Sequence, residues 1–288
     1  MSRVPWLEHR MEEIIVQKKH QHCNGQIDQV PIHARSKYIL GSYRMNFETH
    51  VDCIRSVFML HNETINIWTH LLAAIYFVVD LFMFVKSETQ LASLENMFIL
   101  FCYASCILCM SASTWYHTHC AQSCPNGFAC LLKYDLAGIL TVTLAMYLSN
   151  ICLLFAGPNN RLQSLYLALT IIAAIITALP LTVSHLSAWS RYAVIFFVLT
   201  YILPLSHFMA IATPDEIRIF STPQIILSLL FIFIGAIFYF THFPERQAPG
   251  RFDLFLHSHQ IWHVLAFLGY QSAIEGMKRV HKIRTHQI

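Results

Sequence analysis

Long uncharged, mostly apolar runs dominate the chain downstream of residue 66. Residues without Asp, Glu, Lys or Arg form continuous stretches at 96–132, 136–160, 162–190, 192–214, 219–244 and 254–274. An earlier apolar run, residues 67–85, is interrupted only by Asp80. A helix needs about 20 apolar residues to cross the hydrocarbon core of a bilayer, so each of these runs is long enough to span a membrane.

The runs predict an all-α fold with seven transmembrane helices. Helices are favoured over a β-barrel because the runs are continuous rather than alternating, and backbone polar groups in lipid need partners within the segment. Pro180 and Pro204 fall late in the fourth and fifth spans and predict kinks there. The predicted spans are 67–85, 97–117, 132–154, 163–183, 192–212, 224–242 and 256–274. The predicted organisation is a polar N-terminal region (1–66), a seven-helix membrane domain (67–274) and a short C-terminal tail (275–288).

Composition and charge support a membrane protein and exclude other classes. Hydrophobic residues make up 56% of the chain and charged residues 12%, against about 25% charged in an average soluble protein. So few charges cannot cover the surface of a soluble globule of this size. The net charge of +3 is small and no basic stripe is present, so a nucleic-acid partner is not expected. The Lys and Arg residues near the spans do not decide the orientation of the bundle.

The nine cysteines do not suggest a disulfide framework. Their number is odd, and Cys102, Cys106 and Cys109 lie inside a predicted span. We expect free thiols at these positions and in the loop that follows.

Polar residues of several spans fall on one face of the predicted bundle. Odd-numbered spans begin, and even-numbered spans end, on the side of the N-terminus, so residues far apart in sequence meet there. Unpaired ionisable groups inside a membrane commonly cost several kcal/mol, so these groups are expected to pair or to bind something. The set is Glu63, Asn66 and His70 from the first span, Ser113 and His117 from the second, Asp135 from the third, and His257, His259 and His263 from the seventh.

Three of these histidines have a spacing suited to a metal ion. His259 and His263 are four residues apart, so both imidazoles can face one ion from the same side of a helix. Together with His117 they would give three neutral imidazoles plus a water, which is the usual open catalytic zinc site. Such a site lowers the pKa of the bound water towards 7. Asp135 would act as the general base or orient a ligand, and Ser113 would steady an oxyanion or the water.

Plainer interpretations of the same residues stay open at this point. A single His near a helix end is usually an interfacial or hydrogen-bonded residue. His117 and His119, with Cys120 and Cys124, form an alternative structural zinc site on the loop. The group of Glu63, Asn66 and His70 is more typical of a helix-packing or N-capping cluster than of a catalytic one. Asp80 either pairs inside the bundle or extends towards the membrane surface.

Four motifs in this order resemble the progestin and adipoQ receptor family, which includes the adiponectin receptors and the hemolysin-III-like proteins. They are Leu60-His61-Asn62-Glu63-Thr64-Ile65-Asn66-Ile67-Trp68-Thr69-His70, then Ser113-Thr114-Trp115-Tyr116-His117 with Lys133-Tyr134-Asp135, then Pro244-Glu245-Arg246, and Ser258-His259-Gln260-Ile261-Trp262-His263. The resemblance extends from about Lys37 to the end of the seventh span. The segments Gly41-Ser42-Tyr43-Arg44 and Pro249-Gly250-Arg251-Phe252-Asp253 are similar to those of the small Golgi-associated members, family members three and four.

The resemblance implies a fold, a cofactor and two kinds of function. It implies seven helices with a cytosolic N-terminus in the Golgi or plasma membrane, and zinc held by His117, His259 and His263. It also places Asp135 and Ser113 around the bound water. Several members are associated with ceramidase-type hydrolysis of a lipid amide, and others with receptor or anchoring roles.

Two functional hypotheses therefore carry forward. The leading one is a zinc-dependent intramembrane hydrolase that acts on a lipid amide such as ceramide and is coupled to lipid signalling. The alternative is a non-catalytic receptor or Golgi-anchored scaffold in which zinc staples the helices and the N-terminal region binds a cytosolic signalling protein. A pore ranks last, since the spans lack the repeated polar stripe of a water-filled channel.

Overall fold

The computed structural model describes residues 22–88, 91, 93–122, 124–155, 160–183, 189–220 and 223–286. The first 21 residues of the predicted N-terminal region lie outside these ranges. The described chain is almost entirely helical, as the apolar runs predict, with one small two-stranded sheet ahead of the first long helix.

The elements follow one another along the chain with short connections. The strands are β1 (His22–Gly25) and β2 (Tyr43–Met45), and two 3-10 turns, Ile27–Gln29 and Ile32–Ala34, lie between them. The helices are α1 (His50–Ser56), α2 (Thr64–Ser87), α3 (Leu94–His119), α4 (Pro125–Leu154), α5 (Asn160–Thr182), α6 (Ser190–Thr200), α7 (Ile202–Ile211), α8 (Pro214–Phe220), α9 (Pro223–Thr241) and α10 (Ser258–His286).

Six of the predicted spans coincide with segments that are long and apolar enough to cross a membrane. Within the described ranges these segments are Thr64–Ser87, Glu95–His119, Asn126–Leu154, Arg161–Thr182, Tyr192–Ile211 and Pro223–Thr241. The seventh predicted span, 256–274, coincides with most of α10, which is not among the six. The His and Gln residues of α10 lower its hydropathy, and the helix runs on without a break as far as His286.

The two prolines inside the spans have different effects. The fifth predicted span, 192–212, divides at Tyr201 into α6 and α7. Pro204 has no backbone N–H to give to the carbonyl of Thr200, so the helix loses a hydrogen bond at this junction. In the fourth span α5 passes through Pro180 and ends two residues later, at Thr182. The prediction of an irregular helix is therefore confirmed at Pro204.

Helix α10 is the packing centre of the bundle. It contacts α9 along its length and also packs against α2, α3 and α4. Phe77, Cys106, Val142 and Ile274, one from each of α2, α3, α4 and α10, are all nearly inaccessible and belong to one apolar cluster. The bundle therefore places the polar start of α10 next to the start of α2 and the end of α3.

A glycine allows α3 and α4 to approach closely. A Cβ built on Gly138 would lie 2.9 Å from the Cα of Cys109, closer than side chains normally come to backbone. Gly138 follows Asp135 by three residues, and Cys109 precedes Ser113 by four. The tight crossing thus lies one turn away from the two polar residues that the sequence analysis singled out.

The nine cysteines are all free, as the sequence predicts. Cys102, Cys106 and Cys109 are buried on α3 and pack in the apolar core. Their position accounts for the cysteine content of the membrane domain without any disulfide.

Residues 22–62 form a folded N-terminal cap over the end of the bundle where α2 begins. The strands β1 and β2 pair in an antiparallel sheet. The carboxylate of Asp253, in the loop before α10, accepts hydrogen bonds from the backbone N–H groups of Leu40 at 3.0 Å and Gly41 at 2.6 Å. The backbone N–H of Asn62 donates to the carbonyl of Ser42 at 2.9 Å. The cap is therefore held to the α9–α10 loop and to the start of α2.

Asp80 pairs inside the bundle. Its carboxylate accepts a hydrogen bond of 2.6 Å from the Tyr103 hydroxyl and lies 3.7 Å from the Nζ of Lys278. Lys278 also donates to the Tyr103 hydroxyl at 3.2 Å. This cluster ties α2, α3 and α10 together near the ends remote from the N-terminal cap, and the pairing alternative left open by the sequence is the one that forms.

Candidate metal centre

Three histidines from two helices meet below the N-terminal cap. His117 lies in the last turn of α3, and His259 and His263 lie in the first two turns of α10. One ring nitrogen from each lies within 4.8 Å of the others, a grouping that can hold a metal ion. His117 and His263 are buried, and His259 is partly exposed.

The spacing of the donor atoms fits a tetrahedral ion. The Nε2 atoms of His117 and His259 are 3.3 Å apart. Two nitrogens at a zinc–nitrogen distance of about 2.0–2.1 Å and a tetrahedral angle lie about 3.3 Å from each other. Three neutral imidazoles without a thiolate also match the donor set of zinc sites that keep one position open. The residues present therefore fit zinc.

The start of α10 is fixed by side chains of the loop before it. Both the backbone N–H and the hydroxyl of Ser258 donate to the buried carboxylate of Glu245. The side chain of Gln260 accepts from the backbone N–H of Leu256 and donates to the carbonyl of Leu254. A carboxylate at a helix N-terminus is stabilised by the free N–H groups there. These contacts set the position of the helix turn that carries His259 and His263.

Ser113 and Asp135 lie together beside this group. Both are buried, and the Ser113 side chain forms a hydrogen bond with the Asp135 carboxylate. Asp135 is also close enough to His117 for a direct electrostatic interaction. All five residues predicted from the sequence as metal ligands or catalytic groups are therefore placed on the same side of the bundle.

The polar start of α2 packs against the same site. The carboxylate of Glu63 lies 2.8 Å from Nδ1 of His117, and the ring of His70 stacks on that of His263 with centroids 3.6 Å apart. Glu63 is the N-cap residue of α2, but its side chain makes no capping hydrogen bond. The interpretation of Glu63, Asn66 and His70 as a packing cluster agrees with this geometry, whereas capping by Glu63 does not occur.

The contact with His117 governs the charge of Glu63. Burial by itself would raise the pKa of this carboxyl group. The hydrogen bond and charge of His117, together with a hydrogen bond from Asn66, outweigh burial and hold the pKa of Glu63 below its usual range. Sequence analysis did not identify the pairing of Glu63 with His117. The available signal was an acid at the entry of a span, on the same bundle end as the predicted metal ligand.

A second residue that sequence analysis missed is Arg44 of the N-terminal cap. Its guanidinium is buried and donates to the backbone carbonyls of His117 at 2.7 Å and Thr118 at 2.6 Å. It also donates to the hydroxyl of Ser56 at 2.9 Å. A cation is favourable at the carboxyl end of a helix, where carbonyls lack partners within the helix. Arg44 therefore caps α3 at the turn that carries His117.

The alternative loop site uses residues whose side chains point elsewhere. The ring of His119 lies against Trp115 and its Nδ1 is 3.0 Å from the Trp115 carbonyl. The thiol of Cys120 lies 3.3 Å from the guanidinium of Arg44, and Cys124 is exposed. Within the described ranges, the group of three or more possible ligands that includes His117 is the one with His259 and His263.

An apolar groove adjoins the histidines on the outer surface of the bundle. It lies between α2 and α10, has a volume of about 300 Å³, and is lined by Thr69, Leu72, Ala73, Tyr76, Val264 and Phe267. The hydroxyl oxygen of Thr69 is 3.3 Å from Nδ1 of His263. The groove therefore ends beside a candidate metal ligand.

The fold and site together define a multi-pass membrane protein with a histidine cluster at one end of its helix bundle. The sequence profile of the family described as haemolysin-III related matches residues 58–274, which include the whole site. The chain belongs to this family.

Relatives at about 30% identity cover most of the chain. Progestin and adipoQ receptor family member 3 of Mus musculus is 31% identical over 276 residues, covering 88% of this chain and 86% of the relative. Heptahelical transmembrane protein 1 of Arabidopsis thaliana is 32% identical over 249 residues, covering 81% and 74%. Membrane progestin receptor gamma of Mus musculus is 29% identical over 273 residues, covering 87% and 79%. The family resemblance inferred from the motifs is confirmed, and the assignment to a Golgi-associated subgroup stays a prediction.

Proposed function

We propose that this protein is a zinc-dependent intramembrane hydrolase that cleaves the amide bond of a lipid such as ceramide. The observation that carries the proposal is the meeting of three imidazoles with the hydrogen-bonded pair of Ser113 and Asp135. A metal-binding group of histidines beside a carboxylate and a hydroxyl is the combination that hydrolysis of an amide by water requires.

The division of roles follows from the chemistry of the donors. His117, His259 and His263 would hold the ion, which when bound would polarise the amide carbonyl and acidify a water molecule. The Asp135 carboxylate would take a proton from the attacking water and pass it to the leaving amine nitrogen. The Ser113 hydroxyl, hydrogen-bonded to Asp135, would keep that carboxylate in position. Water and the amide would thereby yield a fatty acid and a free amine.

The surroundings of the histidines support a lipid substrate. The groove between α2 and α10 is lined almost wholly by apolar side chains, and Leu72 and Val264 are exposed on the outer surface of the bundle. An acyl chain could lie in this groove with its polar end near Thr69. A lipid amide presented from the bilayer would in this way reach the histidines without leaving the membrane.

Topology and location belong to the same proposal. With α10 as the seventh span, the chain would have its N-terminus in the cytosol, and it would reside in the Golgi or plasma membrane. The name of the Arabidopsis relative, heptahelical transmembrane protein 1, supports seven spans. The polar residues of α10 that lower its hydropathy face the histidine site, so they do not argue against insertion.

Labelled ceramide tests the activity directly. Purified full-length protein should release labelled fatty acid, and Asp135→Asn should lower the rate by roughly 10²–10⁴-fold because the general base is removed. His259→Ala should lose activity together with its metal. Asp215→Asn, which changes an aspartate that is 84% exposed, is the matched control and should keep the rate of the unaltered protein. Equal turnover by the unaltered protein, Asp135→Asn and His259→Ala would remove the hydrolase proposal.

A second candidate is a receptor or Golgi-anchored scaffold that uses zinc only to join helices. The N-terminal cap favours it, because Ile32 exposes 82% of its surface there and offers an apolar contact for a cytosolic signalling protein. Because Asp253 holds Leu40 and Gly41, a deletion should stop at residue 21 to leave the described part of the cap intact. Loss of partner binding in Ile32→Ser and in this deletion, with no ceramide hydrolysis by the unaltered protein, would support the scaffold.

A further inference from the structure

The first turns of α2 contact the two buried histidines of the site through the nitrogen that faces away from the third ligand. Oε2 of Glu63 is 2.8 Å from Nδ1 of His117. On the other side, the backbone carbonyl of Asn66 is 3.2 Å from Nδ1 of His263, and the Thr69 hydroxyl oxygen is 3.3 Å from the same atom. Residues from one helix thus touch ligands on two other helices.

These contacts fix which ring nitrogen carries the hydrogen. A carboxylate and a backbone carbonyl can only accept hydrogen bonds, so Nδ1 of His117 and Nδ1 of His263 must be the donors. The Thr69 hydroxyl donates to the Ile65 carbonyl at 2.7 Å, which leaves its oxygen to accept as well. In a neutral imidazole only one nitrogen bears a hydrogen. The Nε2 lone pairs of both rings are therefore free for a cation.

The Glu63 carboxylate is itself held in place. The side-chain amide of Asn66 donates to Oε2 at 2.6 Å, the atom that also faces His117. The side-chain amide of Asn62 donates to Oε1 at 3.2 Å. The side chain of Glu63 is only 13% exposed, and it does not cap its own helix. Its position is therefore explained by the contact with His117 and by the two amides that aim it there.

We infer that Glu63 is a positioning residue for the metal centre, and that α2, which supplies no ligand, sets the tautomer and orientation of His117 and His263. The inference rests on the metal site of the proposed function. A carboxylate that accepts from the far nitrogen of a ligating histidine makes the imidazole a stronger donor to the cation. Loss of such a partner typically weakens metal affinity by about 10–100-fold.

Zinc affinity of the purified full-length protein, measured by competition with a chelator at one fixed pH, tests the inference without any activity assay. Glu63→Ala should weaken zinc binding by about 10–100-fold while the number of sites per chain is unchanged. Glu63→Gln keeps an acceptor oxygen for His117 but loses the charge, so its affinity should lie between those of Glu63→Ala and the unaltered protein. Glu48→Gln, at an exposed glutamate of the same cap, is the matched control and should bind zinc like the unaltered protein.

Each outcome has a distinct meaning. The thermal midpoint of each metal-free variant shows whether a weaker affinity reflects lost folding, and Glu63→Gln serves if Glu63→Ala does not fold. One zinc per chain with the same affinity in both Glu63 variants would overturn this inference and leave the metal site standing. No zinc on the unaltered protein would overturn the inference and the proposed function together.

Discussion

The guanidinium of Arg44 donates to the backbone carbonyl of His117 across a sequence separation of 73 residues. This bond joins the N-terminal cap to the turn of α3 that carries a candidate metal ligand. Because the same guanidinium also serves the Thr118 carbonyl and the Ser56 hydroxyl, several buried acceptors depend on one side chain.

Replacing Arg44 should destabilise the protein. Arg44→Met leaves the carbonyls of His117 and Thr118 buried without their charged donor, which should cost roughly 3 kcal/mol. Arg44→Lys should restore only part of this, because an ammonium group lacks the planar fork that reaches several acceptors. The thermal midpoint of the purified protein in detergent measures both effects. The exposed Arg55, changed to Met, is the control. Equal midpoints for the Arg44 and Arg55 variants would show that the cap contact is not needed.

The crossing of α3 and α4 at Gly138 should not tolerate a methyl group. Because a Cβ there would lie 2.9 Å from the Cys109 Cα, Gly138→Ala should force the helices apart and cost about 1–3 kcal/mol. Gly127→Ala is the matched control in the same helix, since its Cβ would meet its nearest neighbour at an ordinary 3.7 Å. Alanine favours helix over glycine by about 1 kcal/mol, so Gly127→Ala should be neutral or stabilising. Thermal unfolding of the pair gives the comparison, and a Gly138→Ala protein as stable as the Gly127→Ala protein contradicts the close approach.

Removing the charge of Asp80 should weaken the junction of α2, α3 and α10. Asp80→Asn leaves Lys278 without its opposite charge on α2, and Lys278→Met leaves the carboxylate with only the Tyr103 hydroxyl. Each single change should lower the free energy of unfolding by about 1–3 kcal/mol. The double variant should be more stable than the sum of the two losses predicts, with a coupling of about 0.5–3 kcal/mol in a double-mutant cycle. Strictly additive losses would mean that Asp80 and Lys278 do not interact.

Acid should destabilise the N-terminal cap through His61. Burial, followed by the charge of Arg44, lowers the pKa of His61 to about 3. Its Nε2 lies 3.0 Å from the Ser56 carbonyl and its Nδ1 accepts from the backbone N–H of Glu63 at 3.1 Å, an arrangement that needs a neutral ring. The unfolded chain takes up a proton near pH 6.5 and the folded chain does not. Stability should therefore fall between about pH 6.5 and 3, by up to about 1.4 kcal/mol per pH unit.

The variant His61→Asn isolates this contribution. Asparagine keeps an acceptor near the position of Nδ1 but does not titrate in this range. Thermal midpoints at pH 7 and pH 4.5 should differ less for His61→Asn than for the unaltered protein. The same difference in both proteins would assign the acid sensitivity to other groups.

The sequence predicts the spans well because bilayer thickness imposes a length and an apolar composition on each crossing helix. The predicted starts and ends of the spans lie within a few residues of the observed helices in most cases. An exception is the third span, predicted from residue 132, because α4 already begins at Pro125. Seven extra residues of that helix, ahead of the apolar run, carry no hydropathy signal.

The convergence of His117, His259 and His263 follows from topology and from the four-residue spacing on α10, and both can be read in the sequence. The contacts of Glu63 and Arg44 cannot, because they depend on how α2 is rotated about its axis and on where the cap crosses α3. No local pattern encodes either quantity. The same limit applies to the tight approach of Gly138 to Cys109, since a glycine in a membrane helix has no periodic signature of its contact.

Metal analysis of the purified protein tests the central claim most directly. The unaltered protein should carry about one zinc per chain, and His263→Ala should lose it because two imidazoles remain. The exposed His50, changed to Ala, is the matched control and should retain the metal. An unaltered protein that carries no zinc, or a His263→Ala variant that keeps the full amount, would contradict a metal centre built from these three histidines.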